Sequence, residues 1–403
     1  MIAYQVPAEH LRIGHPTPFG LVDAAGKLLM ARGMVIESEE HRDQLLARGA
    51  YIDSHDTEAY QRILTSMLDT MLLHNEKLGR IAQAQPDTAP MALHPLAAAP
   101  TRADPLQVVR GLQMHVGKLL RDAPQADFHG RLLKQGEALF AFADEDPDTA
   151  LLVLIDAATS EQRDYSTTHA MLVAVVADLA ARHVPGWTPA LRSSLRCAAL
   201  SMNIAMTNLQ DVLAQQLSPP SAQQRVLIDS HAQRGADMMA ACGVDDALWI
   251  EAVRHHHDAP PGPLAGRPPG QQLARLIKRA DIFAARLSPR RRRSALSGAA
   301  AAKAAYLDER QQPDDAGAAI VKATGIYPPG SYVRLASGET AVVMRRGARA
   351  NEPRVAGVIG RSGTPIAEPA LRDTRLAQHA VTAGVAPDDV KLRLNLPRLL
   401  RLL

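Results

Sequence analysis

Between Asp146 and about Thr324, apolar residues recur at three- and four-residue spacing, which predicts one helix after another. Asp146 is placed to cap the first of these with Pro147 at its opening position, Asp148 being the alternative cap, and the helix runs into Leu151-Leu152-Val153-Leu154. Tyr165-Ser166 opens the next, with His169, Val173, Val176 and Ala180 on one face. A third puts Ala199, Asn203, Met206 and Gln210 at helical spacing, and a fourth Leu227, His231, Arg234 and Met238. Arg254-His255-His256-His257-Asp258 ends a further helix, because Pro260-Pro261-Gly262-Pro263 follows at once. Leu273, Ile277, Asp281 and Ala284 then share a face of the next.

The flanks read differently. Residues 1–56 form a small α+β module: two strands across 19–30 joined by a Gly-containing turn, a helix capped by Ser38, and a return strand at Tyr51-Ile52. Residues 57–82 read as a helix. Residues 83–104 are Ala/Pro-rich without an apolar period and read as a flexible linker. Residues 105–145 form a helical connector, with helices at Pro105–Arg121 and about 128–144. A domain of successive helices takes 146–324. From 325 to 403 the pattern turns to strands: Ser331–Leu335 and Thr340–Met344 flank Ser337-Gly338 as a hairpin, Val355–Ile359 adds a third strand, and an irregular basic tail ends the chain.

Composition supports a mainly helical fold. Of 403 residues, 46% are apolar but only 3% aromatic, so the core is built of Ala, Leu, Val and Met. A net charge of +3 is too mild to mark a binder of nucleic-acid polymers. The longest greasy run, Ala170 to Ala177, is far short of the roughly 20 residues of a membrane span. Cys197 and Cys242 lack CxxC spacing, and the N-terminus lacks a signal-peptide pattern. The expectation is a soluble cytoplasmic protein with reduced thiols.

The candidate chemistry starts at the His run. Neighbouring imidazoles at a helix end can converge on one cation, and the alternative is a solvated run beside a Pro-rich turn. His169, Asn203, His231 and Asp281 sit on or beside apolar faces of four separate helices. Each alone reads as a satisfied core residue; four together favour a shared pocket that His257 also faces.

These residues resemble the HD-GYP domain, a subgroup of the HD metal-dependent phosphohydrolases, many of which cleave cyclic di-GMP. His169 follows a Tyr-Ser helix start, and His231-Ala-Gln-Arg-Gly235 matches the family's downstream His. His256-His257-Asp258 matches its His-His-Glu, Ala280-Asp281-Ile282-Phe283 its final Asp, and Arg290 to Leu296 the later Arg-x-x-Arg-x-Ala-Leu. The resemblance covers about 145–325 and implies an HD-type helical domain over 146–324, and Ile326–Leu335 looks like the segment that often follows. The N-terminal module is similar to one often found ahead of such domains.

The departures fall at the centre. Where the family has Leu-His-Asp-Ile-Gly-Lys, this chain has Ser201-Met202-Asn203-Ile204-Ala205-Met206, so Met202, Asn203 and Met206 replace the His, Asp and Lys. The resemblance implies His169 and Asp281 as ligands of a first metal and His231, His256 and His257 as ligands of a second, with the missing Asp bridging them. Two adjacent cations need a shared anion, which neutral Asn does not supply. The family's Tyr-bearing loop is reduced to Pro261-Gly262-Pro263-Leu264. Two readings stay open: a regulatory or interaction module without hydrolase activity, and a phosphohydrolase with one metal. The implied cofactor is a divalent metal (iron, manganese or zinc), sub-stoichiometric or absent. The implied partners are cyclic di-GMP or a signalling protein, with a homodimer open. Arg290 and Arg293 are candidates for holding a phosphate-bearing ligand, against a solvated helix start.

Overall fold

The computed structural model describes residues 104–125, 127–160 and 164–403, and from the N-terminal part residues 6, 11, 13–14, 17, 20–23, 28–31 and 34–52. The chain divides into two units, Met1–Arg102 and Ala103–Leu403. The helix expected at 57–82 and nearly all of the linker expected at 83–104 lie outside the described residues.

In the first unit, β1 (Leu21–Val22) lies between β2 (Leu28–Met30) and β3 (Tyr51–Ile52), antiparallel to both. The helix α1 (Glu39–Ala47) starts at Ser38, whose side chain accepts from the His41 N–H. Leu21, Met30, Ile36, Leu45 and Ile52 close a small core.

The second unit is mainly helical. After α2 (Pro105–Arg121) and α3 (Phe128–Glu145), α4 (Pro147–Ser160) begins as the sequence predicts: Asp146 Oδ1 accepts from Thr149 N at 3.1 Å, and Oδ2 from Thr149 Oγ1 at 2.9 Å. Every residue of α5 (Tyr165–Ala181) is buried. A helix buried all round belongs at the centre of its domain, and α5 packs against α4, α6 (Pro189–Ser201), α10 (Pro269–Leu287) and α12 (Asp315–Thr324). Between α6 and α10 come a 3-10 turn at Ile204–Met206 and the helices α7 (Thr207–Gln215), α8 (Ala222–Ala241) and α9 (Ala247–His255); α11 (Gly298–Tyr306) lies between α10 and α12.

Two expectations change here. Ala199 to Gln210 is not one helix: α6 stops at Ser201 and α7 starts at Thr207. Buried Met202 and Ile204 are two residues apart, and with half-buried Met206 they cannot share one face of an α-helix. The tail is not irregular either. A five-stranded antiparallel sheet forms in the order β7-β6-β5-β4-β8, from β4 (Tyr332–Leu335), β5 (Thr340–Arg345), β6 (Arg354–Ile359), β7 (Pro365–Asp373) and β8 (Val381–Val385), followed by α13 (Leu396–Leu400). β7 holds Pro365 and Pro369 and lacks clean alternation, which an edge strand tolerates. β8 is specified by pairing with β4, about fifty residues earlier, and local pattern does not report such pairing.

Gly330, at φ +89°, lets the Pro328–Gly330 turn close on α4: a Cβ there would stand 2.9 Å from Leu152 O. Arg345 pairs with Asp146 at 2.8 Å and Arg346 pairs with Asp148, tying β5 and the residue after it to the start of α4. No helix among the described residues is long and apolar enough to cross a membrane.

Candidate metal centre

Helices α8 and α9 bring three imidazoles together. A capping box of Ser221 and Gln224 starts α8, which carries His231 inward. Gly235, one turn on, allows close approach: a Cβ there would meet Val253 Cγ1 of α9 at 3.2 Å. Asp246 starts α9 by accepting from Leu248 N at 3.0 Å and Trp249 N at 3.1 Å. The same carboxylate takes the Ser194 hydroxyl at 2.6 Å, and Trp249 Nε1 donates to Ser201 Oγ at 2.7 Å. Helix α9 is thereby fastened to α6 at two points. Its last turn runs into His256, which is fully buried, and His257, which is exposed.

The hydrogen bonds fix which nitrogens face inward. His231 Nδ1 donates to Ile228 O, and His256 Nδ1 donates to Val253 O at 2.7 Å. Burial pushes His256 down to about 3, and burial also lowers His231, so both rings are neutral at pH 7 with a bare Nε2 lone pair. His231 Nε2 lies 3.2 Å from His256 Nε2 and 3.2 Å from His257 Nε2. His257 can donate across its contact. The His231–His256 contact then sets two lone pairs face to face, an arrangement that calls for a cation. Tetrahedral nitrogen ligands on zinc stand about 3.3 Å apart. The donor set therefore fits one divalent ion, with no carboxylate in the group.

His169 and Asp281 form a separate pair. Asp164 makes no side-chain cap at the start of α5; Asp211 of α7 does so instead, accepting from Ser166 N at 2.7 Å and Ser166 Oγ at 2.9 Å. One turn later, His169 Nε2 meets Asp281 Oδ1 of α10 at 2.7 Å. Burial alone would raise the Asp281 carboxyl. The hydrogen bond and charge of His169, with His256 and His257 beyond, outweigh it and hold Asp281 well below the usual carboxylate range. The five residues thus divide into a pair and a triad, and the degenerate stretch Met202–Met206 brings no carboxylate to either. Met202 is fully buried and Asn203 half-buried.

Arg290 to Arg293 is not a helix start: the run lies in a loop before α11, whose cap is Ser297. Arg290 Nε donates to the Tyr165 hydroxyl at 3.0 Å and its guanidinium covers that ring, which in turn stacks on His169 at 5.6 Å. Arg293 donates to Ala285 O and Ser288 O, closing the end of α10. Sequence pattern placed Tyr165 only at a helix start and missed its contact with Arg290, since a contact between residues 125 positions apart leaves no periodic trace.

No family model matches the chain. It is 28% identical over 246 residues to the cyclic di-GMP phosphodiesterase PA4108 of Pseudomonas aeruginosa, covering 59% of this chain and 58% of the relative. The chain thus spans somewhat over half the length of that relative. Among solved structures it is similar to Bd1817, an HDG"Y"P protein from Bdellovibrio bacteriovorus, with a TM-score of 0.44 and 16% identity over 80% of this chain and 98% of that one.

Proposed function

We propose that this chain is an HD-GYP-like domain protein, on its likeness to a cyclic di-GMP phosphodiesterase, and that it acts in cyclic di-GMP signalling as a regulatory or interaction module whose two-metal hydrolytic centre is lost. The observation that carries the reading is Asn203. Nothing anionic stands between the His169–Asp281 pair and the His triad in the Met202–Met206 stretch, and His169 already occupies one oxygen of Asp281. Without a bridging charge, two cations repel, and a phosphodiester loses the paired activation that in-line attack requires. In this reading the protein works in the cytoplasm with a signalling protein or a second copy as partner. Burial pushes the Cys197 thiol up to about 12, consistent with an inert core thiol.

The convergence of His231, His256 and His257 favours a second reading, a one-metal phosphohydrolase. A divalent ion bound there would supply Lewis acidity toward a phosphoryl oxygen. The chain's own contribution would be to hold the His231 and His256 imidazoles in register through the Ile228 and Val253 carbonyls, with His257 as the third nitrogen donor. One experiment separates the two. Protein of measured metal content is assayed for cyclic di-GMP hydrolysis. The module reading expects no turnover above the chelated control, and turnover that scales with metal content establishes the hydrolase instead.

A further inference from the structure

The stretch Ser201–Met206 contains no ionisable side chain. The charge beside it comes from another helix. Arg234 lies three residues after His231 on α8, and residues at that spacing are neighbours on a helix surface. Its Nη2 donates to Ala205 O at 3.3 Å, so the guanidinium lies against the 3-10 turn that separates α6 from α7. Its Nη1 is shielded from solvent and has no hydrogen-bond partner. Among the described residues no carboxylate pairs with it. A guanidinium has five N–H donors, and leaving one buried without an acceptor is costly unless an anion or water completes it.

We propose that Arg234 is the anion-holding arm of this site, binding a phosphoryl oxygen of a phosphate-bearing ligand whose other oxygens meet a cation on His231, His256 and His257. The inference rests on the triad holding a cation. It deepens the module reading by naming what is bound: a phosphate group, held between a metal and a guanidinium and not cut. Guanidinium suits this task because its planar fork takes phosphate oxygens in pairs. The position also fits the loss of charge at Met206, since Arg234 reaches the residue next to it, Ala205, from the opposite helix. The competing role is structural: a brace on the turn through Ala205 O alone.

The test is a calorimetric titration of zinc-loaded protein with inorganic phosphate, with zinc content first measured in each variant. The expected result for R234Q is unchanged zinc content and phosphate affinity lower by about tenfold or more, the size of one lost charge-assisted hydrogen bond. R234K falls between, keeping the charge without the fork, and R234Q with M206K recovers affinity by supplying a cation from the same turn. Equal phosphate affinity in R234Q and wild type overturns the proposal, and a lowered melting midpoint with that result assigns Arg234 the brace. If R234Q does not fold, R234K carries the test, and wild-type affinity there overturns it. A wild type that takes up no zinc is a distinct failure, in which the triad reading falls and the proposal with it.

Discussion

His169 Nε2 and Asp281 Oδ1 meet at 2.7 Å, joining helices α5 and α10 by a contact between positions 112 residues apart. The imidazole is 1% exposed and the carboxylate 22%. The pair is a structural tie whether or not an ion is near. Asp281→Asn is expected to destabilise chelator-treated protein by about 1–3 kcal/mol, the cost of a buried charged hydrogen bond left unmade. Thermal melts of both proteins with and without chelator decide it. An unchanged midpoint in the chelated variant eliminates the structural role.

Metal content follows from Asn203. The purified protein is expected to hold no more than about one divalent ion per chain, as a lone His triad does. Met202→His with Asn203→Asp restores the charge between triad and pair and is expected to raise occupancy toward two. Elemental analysis reads both, and a folded double variant with no added metal means that the pocket has diverged beyond those two side chains.

Acid stability should hinge on Asp178, a 1%-exposed carboxylate in α5 surrounded by Arg196, Arg192 and Arg182 at 2.7, 2.9 and 3.1 Å. Burial would raise its pKa, but the hydrogen bonds and charge of Arg196, with Arg192 and Arg182, lower it overall. A depressed folded pKa stabilises at pH above the unfolded carboxylate value of about 3.9, and the contribution disappears as pH falls through the folded value. Asp178→Asn is expected to cost about 1–3 kcal/mol at pH 7, because it removes the buried charged acceptor shared by three half-buried guanidiniums. It should also flatten the loss of stability below pH 4. Urea unfolding across pH 3–7 measures both; parallel curves for variant and wild type would contradict the assignment.

Gly330 should tolerate no side chain. Alanine there meets Leu152 O at 2.9 Å with a backbone at φ +89°, and a cost of about 1–3 kcal/mol is expected. Gly363, also at positive φ but with nothing within 4 Å, is the control, expected to lose less. Equal losses at the two sites would place the cost in the backbone alone.

The sequence by itself determined the helical domain, the Asp146 and Ser38 caps and the helical faces on which His169, His231 and Asp281 lie. Those signals are local: Asp146 and Ser38 sit one residue before their helices, and His169, His231 and Asp281 fall on apolar faces at helical period. It also determined the absence of charge at Met202–Met206, which is a matter of residue identity. Only the tertiary structure decided how these three divide with His256 and His257, Asp281 going to His169 and three imidazoles to one another. It alone decided that Asp211 starts α5, that Tyr165 lies between Arg290 and His169, and that β8 completes a sheet from the far side of β4. The Asp211, Arg290, Asp281 and β8 contacts each join positions at least 45 residues apart, and the triad joins two helices 25 residues apart. Such contacts are chosen by which faces can be buried together, and a one-dimensional pattern records that a face exists without recording what covers it.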